Sequence, residues 1–86
     1  MTEHIDEEVG VIAIYQAGKA TPLPWKVKWK SRYFTFKQVD YCHPVWEGKI
    51  LHYLYSVCDG TIYFCLDYNT HSQRWRLKET SDGLPR

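Results

Sequence analysis

The sequence predicts an all-β domain, a small antiparallel barrel or curled sheet of five or six strands, with the SH3-like barrel as one such form. Short segments in which apolar and polar residues alternate recur along the 86-residue chain, and turn-forming residues separate them. No segment keeps a helical period. A chain of this length forms one small core. We expect the domain to span residues 9–79, between a flexible acidic segment at 1–8 and a flexible tail at 80–86.

The first half of the chain contains three predicted strands. The β-branched run Val9–Tyr15 forms the first, and a loop with one Gly and two Pro follows it. Lysines alternate with apolar side chains in Trp25–Trp29, which is typical of a half-buried strand. Tyr33–Lys37 resumes the alternation after a turn at residues 30–32. These strands therefore each present one apolar face.

The second half centres on a predicted β-hairpin. The Asp-Gly dipeptide at residues 59–60 separates two apolar runs, which indicates a two-residue turn. Such a turn places Tyr55 opposite Phe64 on the core side and His52 opposite Asp67 on the other side. The agreement between turn chemistry and apolar pattern supports the hairpin.

Two further segments complete the predicted fold. The Pro and Gly within residues 42–49 predict a loop before the hairpin. Arg74–Lys78 forms the last strand. The apolar faces together predict a core of Ile12, Ile14, Trp25, Val27, Trp29, Phe34, Phe36, Val39, Tyr53, Tyr55, Val57, Ile62, Phe64, Leu66, Trp75 and Leu77.

Basic residues alternate with aromatic residues on two of the strands. The formal net charge is only +1, but residues 20–80 carry nine basic and five acidic side chains, a net of +4. Cations interleaved with rings suit a phosphate backbone whose bases can stack. The predicted nucleic-acid-binding residues are Lys26, Lys28, Lys30, Arg32, Arg74 and Arg76. The alternative is that outward lysines protect an edge strand from pairing with other chains.

The residues that could form a catalytic or metal site are few. The odd number of cysteines and the absence of a CxxC motif argue against a disulfide framework or a zinc ribbon. Cys42 and His43 are adjacent and so point to opposite faces of a strand; we expect no metal and no cofactor. The pair His52 and Asp67 could orient a general base. Because no nucleophile accompanies it, we interpret the pair as a surface contact and expect no enzymatic activity.

A protein-binding adaptor stays open as the second function. Small β-barrels bind peptides at a sheet edge or in an aromatic groove. The outer face of the 51–66 hairpin is more apolar than a solvated face needs; either the chain covers it or a partner does. The residues on this face are Leu54, Ser56, Tyr63 and Cys65.

The N-terminal residues and the apolar runs indicate the compartment. The chain begins with an acidic segment that lacks the hydrophobic core of a signal peptide. The longest apolar run, Val9–Tyr15, is too short to span a bilayer. We therefore expect a cytoplasmic protein with no membrane partner.

Several motifs resemble one protein family. They are Gly18, Pro22, the strand and turn Val27–Tyr33, Phe36, Val39, Trp46, the hairpin residues 59–67 and the closing Arg-Trp-Arg-Leu at 74–77. The chain resembles a family of small bacterial proteins of unknown function that are often encoded beside Y-family translesion polymerase genes. Ser31 stands where the family has Gly, and Val27 where it has an aromatic residue. The resemblance implies an accessory role associated with DNA repair.

Overall fold

The computed structural model describes residues 2–19 and 21–81, and most of them belong to β-strands. The strands are β1 (Thr2–Ile14), β2 (Leu23–Trp29), β3 (Arg32–Thr35), β4 (Gln38–Glu47), β5 (Ile50–Cys58), β6 (Tyr63–Asn69) and β7 (Arg74–Ser81). The prediction of an all-β fold is confirmed. Among the described residues there is no helix with the length and apolarity of a membrane span.

All seven strands form one antiparallel sheet in the order β3-β2-β1-β7-β6-β5-β4. β3 and β4 follow each other in the chain but lie at opposite ends of this order, so the sheet curls until Phe36 and Lys37 connect its two ends. The Phe36 N–H donates to the Trp25 carbonyl in β2, and the Lys37 N–H donates to the Cys58 carbonyl in β5. The architecture is therefore a curled sheet and not a closed barrel.

The core lies inside the curl and is rich in aromatic side chains. Phe64 contacts three other rings, with centroid separations of 6.4 Å to Trp29, 5.2 Å to Phe34 and 5.4 Å to Phe36. The buried members are Val27, Trp29, Phe34, Phe36, Tyr55, Val57, Phe64, Leu66, Tyr68, Trp75 and Leu77. All of these except Tyr68 were predicted. The predicted Val39, Tyr53 and Ile62 are partly buried against this cluster.

Three residues expected in the core are exposed instead: Ile12, Ile14 and Trp25. In β1 the side chains that pack on the core are those of Ile5, Val9, Val11 and Ala13. Ile12 and Ile14 alternate with these residues and so point outward. In the β1–β2 ladder Lys26 pairs with Ile12 and Pro24 pairs with Ala13, which leaves Trp25 without a partner. Trp25 is the extra residue of a β-bulge, and the bulge turns its ring outward.

The loop expected over residues 42–49 is wrong, because Gln38–Glu47 forms β4 and pairs with β5. This strand raises the count from the expected five or six to seven. Pro44 fits there because β4 is an edge strand, where a missing N–H can face outward. Gly48 has φ +62° and turns the chain into β5. That conformation is the one required at the first central position of a type II′ turn.

The β5–β6 hairpin differs in register from the prediction by two residues. Tyr55 lies opposite Leu66, not Phe64. The connection contains four residues, 59–62, because the Asp59 carboxylate accepts hydrogen bonds from the N–H groups of Thr61 and Ile62 at 2.8 and 2.7 Å. A shift of two residues keeps each side chain on its predicted face, since side chains alternate with a period of two.

The first strand begins at Thr2, within the segment that we expect to be flexible. Its early residues pair with β7. The Trp29 indole N–H in β2 donates to Oε1 of Glu7 at 3.0 Å, which connects this part of β1 to the core. β7 extends to Ser81, and residues 82–86 of the predicted tail lie outside the described residues. The acidic residues of β1 consequently lie beside the basic residues of β7.

Candidate nucleic-acid interface

The six basic residues predicted to bind nucleic acid do not form one continuous patch. Their positions are Lys26 and Lys28 in β2, Lys30 in the following turn, Arg32 in β3, and Arg74 and Arg76 in β7. β1 lies between β2 and β7 in the sheet, so the two basic strands are not neighbours. The structure therefore divides the predicted set into three groups with different surroundings.

Lys26 and Lys28 point outward from β2, on either side of the fully buried Val27. The Lys26 ammonium lies 4.9 Å from the centroid of the Trp25 ring, and the Lys28 ammonium lies 5.8 Å from that of Tyr33. Both rings are accessible, with exposed fractions of 44% for Trp25 and 61% for Tyr33. Among the described residues no carboxylate pairs with either ammonium. Each lysine thus combines an uncompensated charge with an exposed ring.

Lys30 and Arg32 lie at the tip of the β2–β3 hairpin and cover the edge of the core. Lys30 and Ser31 have φ of +53° and +61°, the conformation of a two-residue type I′ turn. The Lys30 ammonium lies 4.7 Å from the Trp29 ring centroid, and the Arg32 guanidinium lies 5.0 Å from that of Phe34. Because both rings belong to the core, these cations are directed away from the face that carries Lys26 and Lys28.

The basic side chains of β7 are paired with carboxylates of β1. Arg74 Nη1 lies 3.2 Å from Oε2 of Glu8. Asp6 Oδ1 lies 3.6 Å from Arg76 Nη1 and 3.3 Å from Lys78 Nζ. These pairs are exposed and contribute little stability. Their effect is to reduce the positive charge that β7 offers to a phosphate.

Gly10 leaves an open place beside Lys28. It lies opposite Lys28 in the β1–β2 ladder, and Tyr33 lies opposite Lys28 on the other side. A Cβ at Gly10 would meet no atom within 4 Å. We call the part of the outward surface of β1, β2 and β3 around Lys26 and Lys28 the outer strip, and its residues are Gly10, Ile12, Trp25, Lys26, Lys28 and Tyr33.

A groove of about 240 Å³ adjoins the outer strip at Trp25. Its walls include the apolar side chains of Ile14, Leu23 and Pro24, and Lys37 contributes a cation. Ile14 and Leu23 are opposite each other in the β1–β2 ladder. The groove therefore extends the apolar and basic character of the strip towards the connection between β3 and β4.

A second polar cluster surrounds His52 on the outer surface of β5. Its Nδ1 lies 2.8 Å from Oδ1 of Asp67, the contact expected from the sequence. The contact is not a surface one, because only 12% of the His52 side chain and 15% of the Asp67 side chain are exposed. On the other side Glu47 Oε1 lies 3.2 Å from the buried Nε2 but is not aligned for a hydrogen bond. His52 is therefore held between two carboxylates.

No hydroxyl or thiol of the described residues is hydrogen-bonded to His52. Ser72 lines a groove of about 120 Å³ together with His52 and Asp67, but Nε2 of His52 has no hydrogen-bond partner. An ionised carboxylate only accepts hydrogen bonds, so Asp67 places a proton on Nδ1 and orients the ring. The adjoining groove of about 370 Å³ has walls of Trp46, Leu54 and Lys78, with no hydroxyl or thiol among its described lining residues. The pair can orient the imidazole but does not form a nucleophile–base arrangement.

The cysteines do not form a reactive or metal-binding centre in the described part of the chain. Cys42, Cys58 and Cys65 are all free thiols. Burial raises the pKa of the Cys65 thiol, with a further contribution from the Glu79 charge, and partial burial raises that of Cys42. A raised pKa disfavours the thiolate, which is the nucleophilic form. No group of three His, Cys, Asp or Glu side chains in the described residues is arranged around a possible metal position.

The outer face of the β5–β6 hairpin is not covered by another strand of the described chain. β1 pairs with β7 and β4 pairs with β5, so both lie within the sheet and neither crosses this face. Leu54, Ser56 and Cys65 are half-buried, and Tyr63 is 38% exposed. Neither β1 nor β4 therefore crosses this face as a covering strand, although Val45 and Trp46 of β4 border Leu54 in one groove.

Sequence reasoning missed two contributors to the outer strip, the ring of Trp25 and the open position at Gly10. Trp25, Val27 and Trp29 are spaced two residues apart, with lysines between them. This alternation predicts that Trp25 belongs to the core with the other two. Pro22 and Pro24 precede it, and prolines in a strand are found at edges and bulges. This pair of prolines was the signal that the alternation need not extend to Trp25.

Comparisons with protein-family models, with curated proteins and with solved structures found no match to this chain. The resemblance to the small bacterial family encoded beside translesion polymerase genes stays a prediction. The geometry of the outer strip and of the His52 cluster is therefore the basis for assigning a function.

Proposed function

We propose that this protein is a non-catalytic binding module that holds the phosphate backbone of a nucleic acid on the outer strip. The observation that carries the proposal is the pair Lys26 and Lys28, two outward cations without a described carboxylate partner, each beside an exposed ring. An accessory role in DNA repair is the setting that the sequence resemblance favours.

The structure supports unequal contributions from the predicted binding residues. Lys26 and Lys28 carry uncompensated charge on one face, and we assign them the main phosphate contacts. Arg74 and Arg76 contribute less, because a phosphate must compete with Glu8 and Asp6 for them. With two or three phosphate contacts, log K should fall with log salt with a slope of about −2 to −3. Binding is thus expected to be weak, without sequence specificity and dependent on salt.

An amide NMR titration with a short duplex and a short single-stranded DNA, at low salt and at several-fold higher salt, tests this function. We expect shifts at residues 10–12 and 25–33 that disappear as salt rises. Smaller shifts are expected at residues 74–76. The absence of shifts with either DNA at low salt would overturn the proposal.

The exposed edge of the sheet favours a protein-binding adaptor as the second candidate. β4 is ten residues long, has no neighbour on its outer side among the described strands, and exposes Tyr41 and Trp46. Pro44 within this strand removes one N–H, which limits the addition of a partner strand along its whole length. Salt separates the two functions, because an aromatic contact at β4 would survive salt that abolishes phosphate binding.

A further inference from the structure

We infer that the nucleic acid bound by the outer strip is single-stranded, with its bases stacked on Trp25 and Tyr33. The inference rests on the proposed phosphate-binding function and adds the form of the ligand. It depends on three features of the strip: the outward direction of both rings, the cation over one face of each ring, and the groove next to Trp25.

Trp25 is exposed because of a specific backbone feature. It is the unpaired residue of the β-bulge in β2, which departs from the alternation that would have placed it in the core. Trp29 and Trp75 are buried in the same small domain. A bulge that re-aims one side chain is a common feature of binding sites in sheets. The consequence here is a large flat ring on the surface next to Lys26.

Tyr33 supplies the second ring, on the neighbouring strand. It lies opposite Lys28, which is three residues from Trp25 along β2. Three residues of a strand span about 10 Å. The two rings are therefore separate stacking positions and can receive two different bases of one strand.

The pairing of rings with cations distinguishes a single strand from a duplex. In a duplex the faces of the bases are covered by the neighbouring pairs, and only phosphates and base edges are accessible. Trp25 and Tyr33 would then remain exposed in the complex. In a single strand each base has a free face that can stack on the ring face opposite the ammonium, while a phosphate of the strand lies near that ammonium. Only a single strand would contact both the aromatic rings and the ammonium groups of the strip.

The groove beside Trp25 provides space for a base or sugar next to the first stacking position. It is bounded by Ile14 and Leu23 and has Lys37 in its lining. Ile12, opposite Lys26, adds apolar surface to the strip itself. A duplex presents a charged backbone to such a surface, whereas an unpaired nucleotide can bury its base against it. The apolar surface therefore favours the same form of ligand as the rings.

The test compares three ligands of equal length, about eight nucleotides as suits a small β-domain: oligo-deoxythymidine, oligo-uridine and a DNA duplex. Affinities are measured at low salt for the wild type, Trp25→Leu, Tyr33→Leu and Trp46→Leu, whose exposed ring lies away from the strip. We expect each strip variant to weaken single-strand binding about tenfold. Duplex binding by the same variants, and all binding by Trp46→Leu, should be unchanged.

NMR signals of the two rings provide a second readout that does not depend on affinity. Stacking of a base should shift the indole N–H resonance of Trp25 and the ring resonances of Tyr33. The indole N–H resonance of Trp29, whose N–H is hydrogen-bonded to Glu7, serves as the internal control. Tighter binding of either oligonucleotide than of the duplex, with these shifts, supports the inference.

Failure of the inference and failure of the proposed function give different results. If the duplex binds as tightly as the single strands and the leucine variants change nothing, the stacking inference is overturned and phosphate binding stands. If no ligand binds at low salt, phosphate binding itself is wrong.

Discussion

The Asp67 carboxylate accepts a hydrogen bond from His52 Nδ1 at 2.8 Å across a diagonal of the β5–β6 hairpin. The residue directly opposite His52 is Asn69, and the one opposite Asp67 is Leu54. Diagonal neighbours on one face of an antiparallel pair lie within reach of long side chains. Since both partners are largely buried, this contact stabilises the outer face of the hairpin.

We predict that Asp67→Ala lowers the free energy of unfolding by about 1–3 kcal/mol, because it leaves a buried imidazole N–H without a partner. Glu47→Ala is the matched control, since the Glu47 side chain is 80% exposed and its contact with Nε2 is not a hydrogen bond. Its effect should stay within about 0.5 kcal/mol. Urea denaturation measures both changes. Equal effects would show that the diagonal bond contributes nothing to stability.

Two tryptophans in the same strand should differ widely in their contribution to stability. Trp29 is buried, and its indole N–H is hydrogen-bonded to Glu7. Trp29→Ala should therefore lower the free energy of unfolding by about 3–5 kcal/mol. Trp25→Ala should lower it by about 1 kcal/mol, because the bulge leaves that ring partly in solvent. Urea unfolding curves of the two variants give the comparison. A Trp29→Ala protein as stable as Trp25→Ala would contradict the placement of the two rings.

Gly10 offers a test of the binding surface that leaves the core untouched. Gly10→Glu introduces a carboxylate beside Lys28, where a side chain meets open space. We expect this variant to lose most of its low-salt affinity for DNA, because the added charge neutralises a main phosphate contact. Gly10→Gln has nearly the same shape without the charge and should bind like the wild type.

The Gly10 variants also carry their own control for folding. Glycine inside a strand weakens it, so both substitutions should leave the thermal midpoint unchanged or slightly raised. DNA affinity that is equal in the glutamate and glutamine variants would place the binding surface elsewhere.

Stability should fall at high pH because of two buried tyrosines. Burial raises the pKa of Tyr68 to about 12 and raises that of Tyr55 further. In the unfolded chain both ionise near pH 10. The unfolded state therefore releases protons first as pH rises, and the stability present below about pH 10 is lost as pH rises towards 12 and beyond.

Ultraviolet absorbance of tyrosinate and urea unfolding at several alkaline pH values measure this effect together. Tyr68→Phe removes one of the two groups and should reduce the loss of stability between pH 10 and 12. The prediction is wrong if all tyrosines of the folded protein titrate together near pH 10.

The hairpin shows how far sequence reasoning extends. Turn chemistry at Asp59 and Gly60 predicts a hairpin and the correct faces, but the register is displaced by two residues. The displacement arises from the Asp59 side chain, which bonds to two backbone N–H groups and makes the connection longer. A residue pattern with a period of two cannot distinguish registers that differ by two.

Trp25 and β4 show where local pattern is insufficient. A bulge changes the phase of the alternation, and its position depends on the pairing of β2 with β1. A Pro and a Gly indicate a loop, yet an edge strand accepts Pro44 because no neighbour requires its N–H. In both places the outcome depends on which strand lies alongside, and that strand is distant in the chain.

The alternation of side chains along each strand was enough to predict the all-β class, most of the core and the outward direction of Lys26 and Lys28. The availability of each cation, in contrast, depends on how the strands are arranged in the sheet. β1 lies between β2 and β7, and its Asp6 and Glu8 pair with the arginines of β7 while Lys26 and Lys28 have no described carboxylate partner. Strand order and register are set by contacts between distant segments, and the charge of a surface depends on those neighbours.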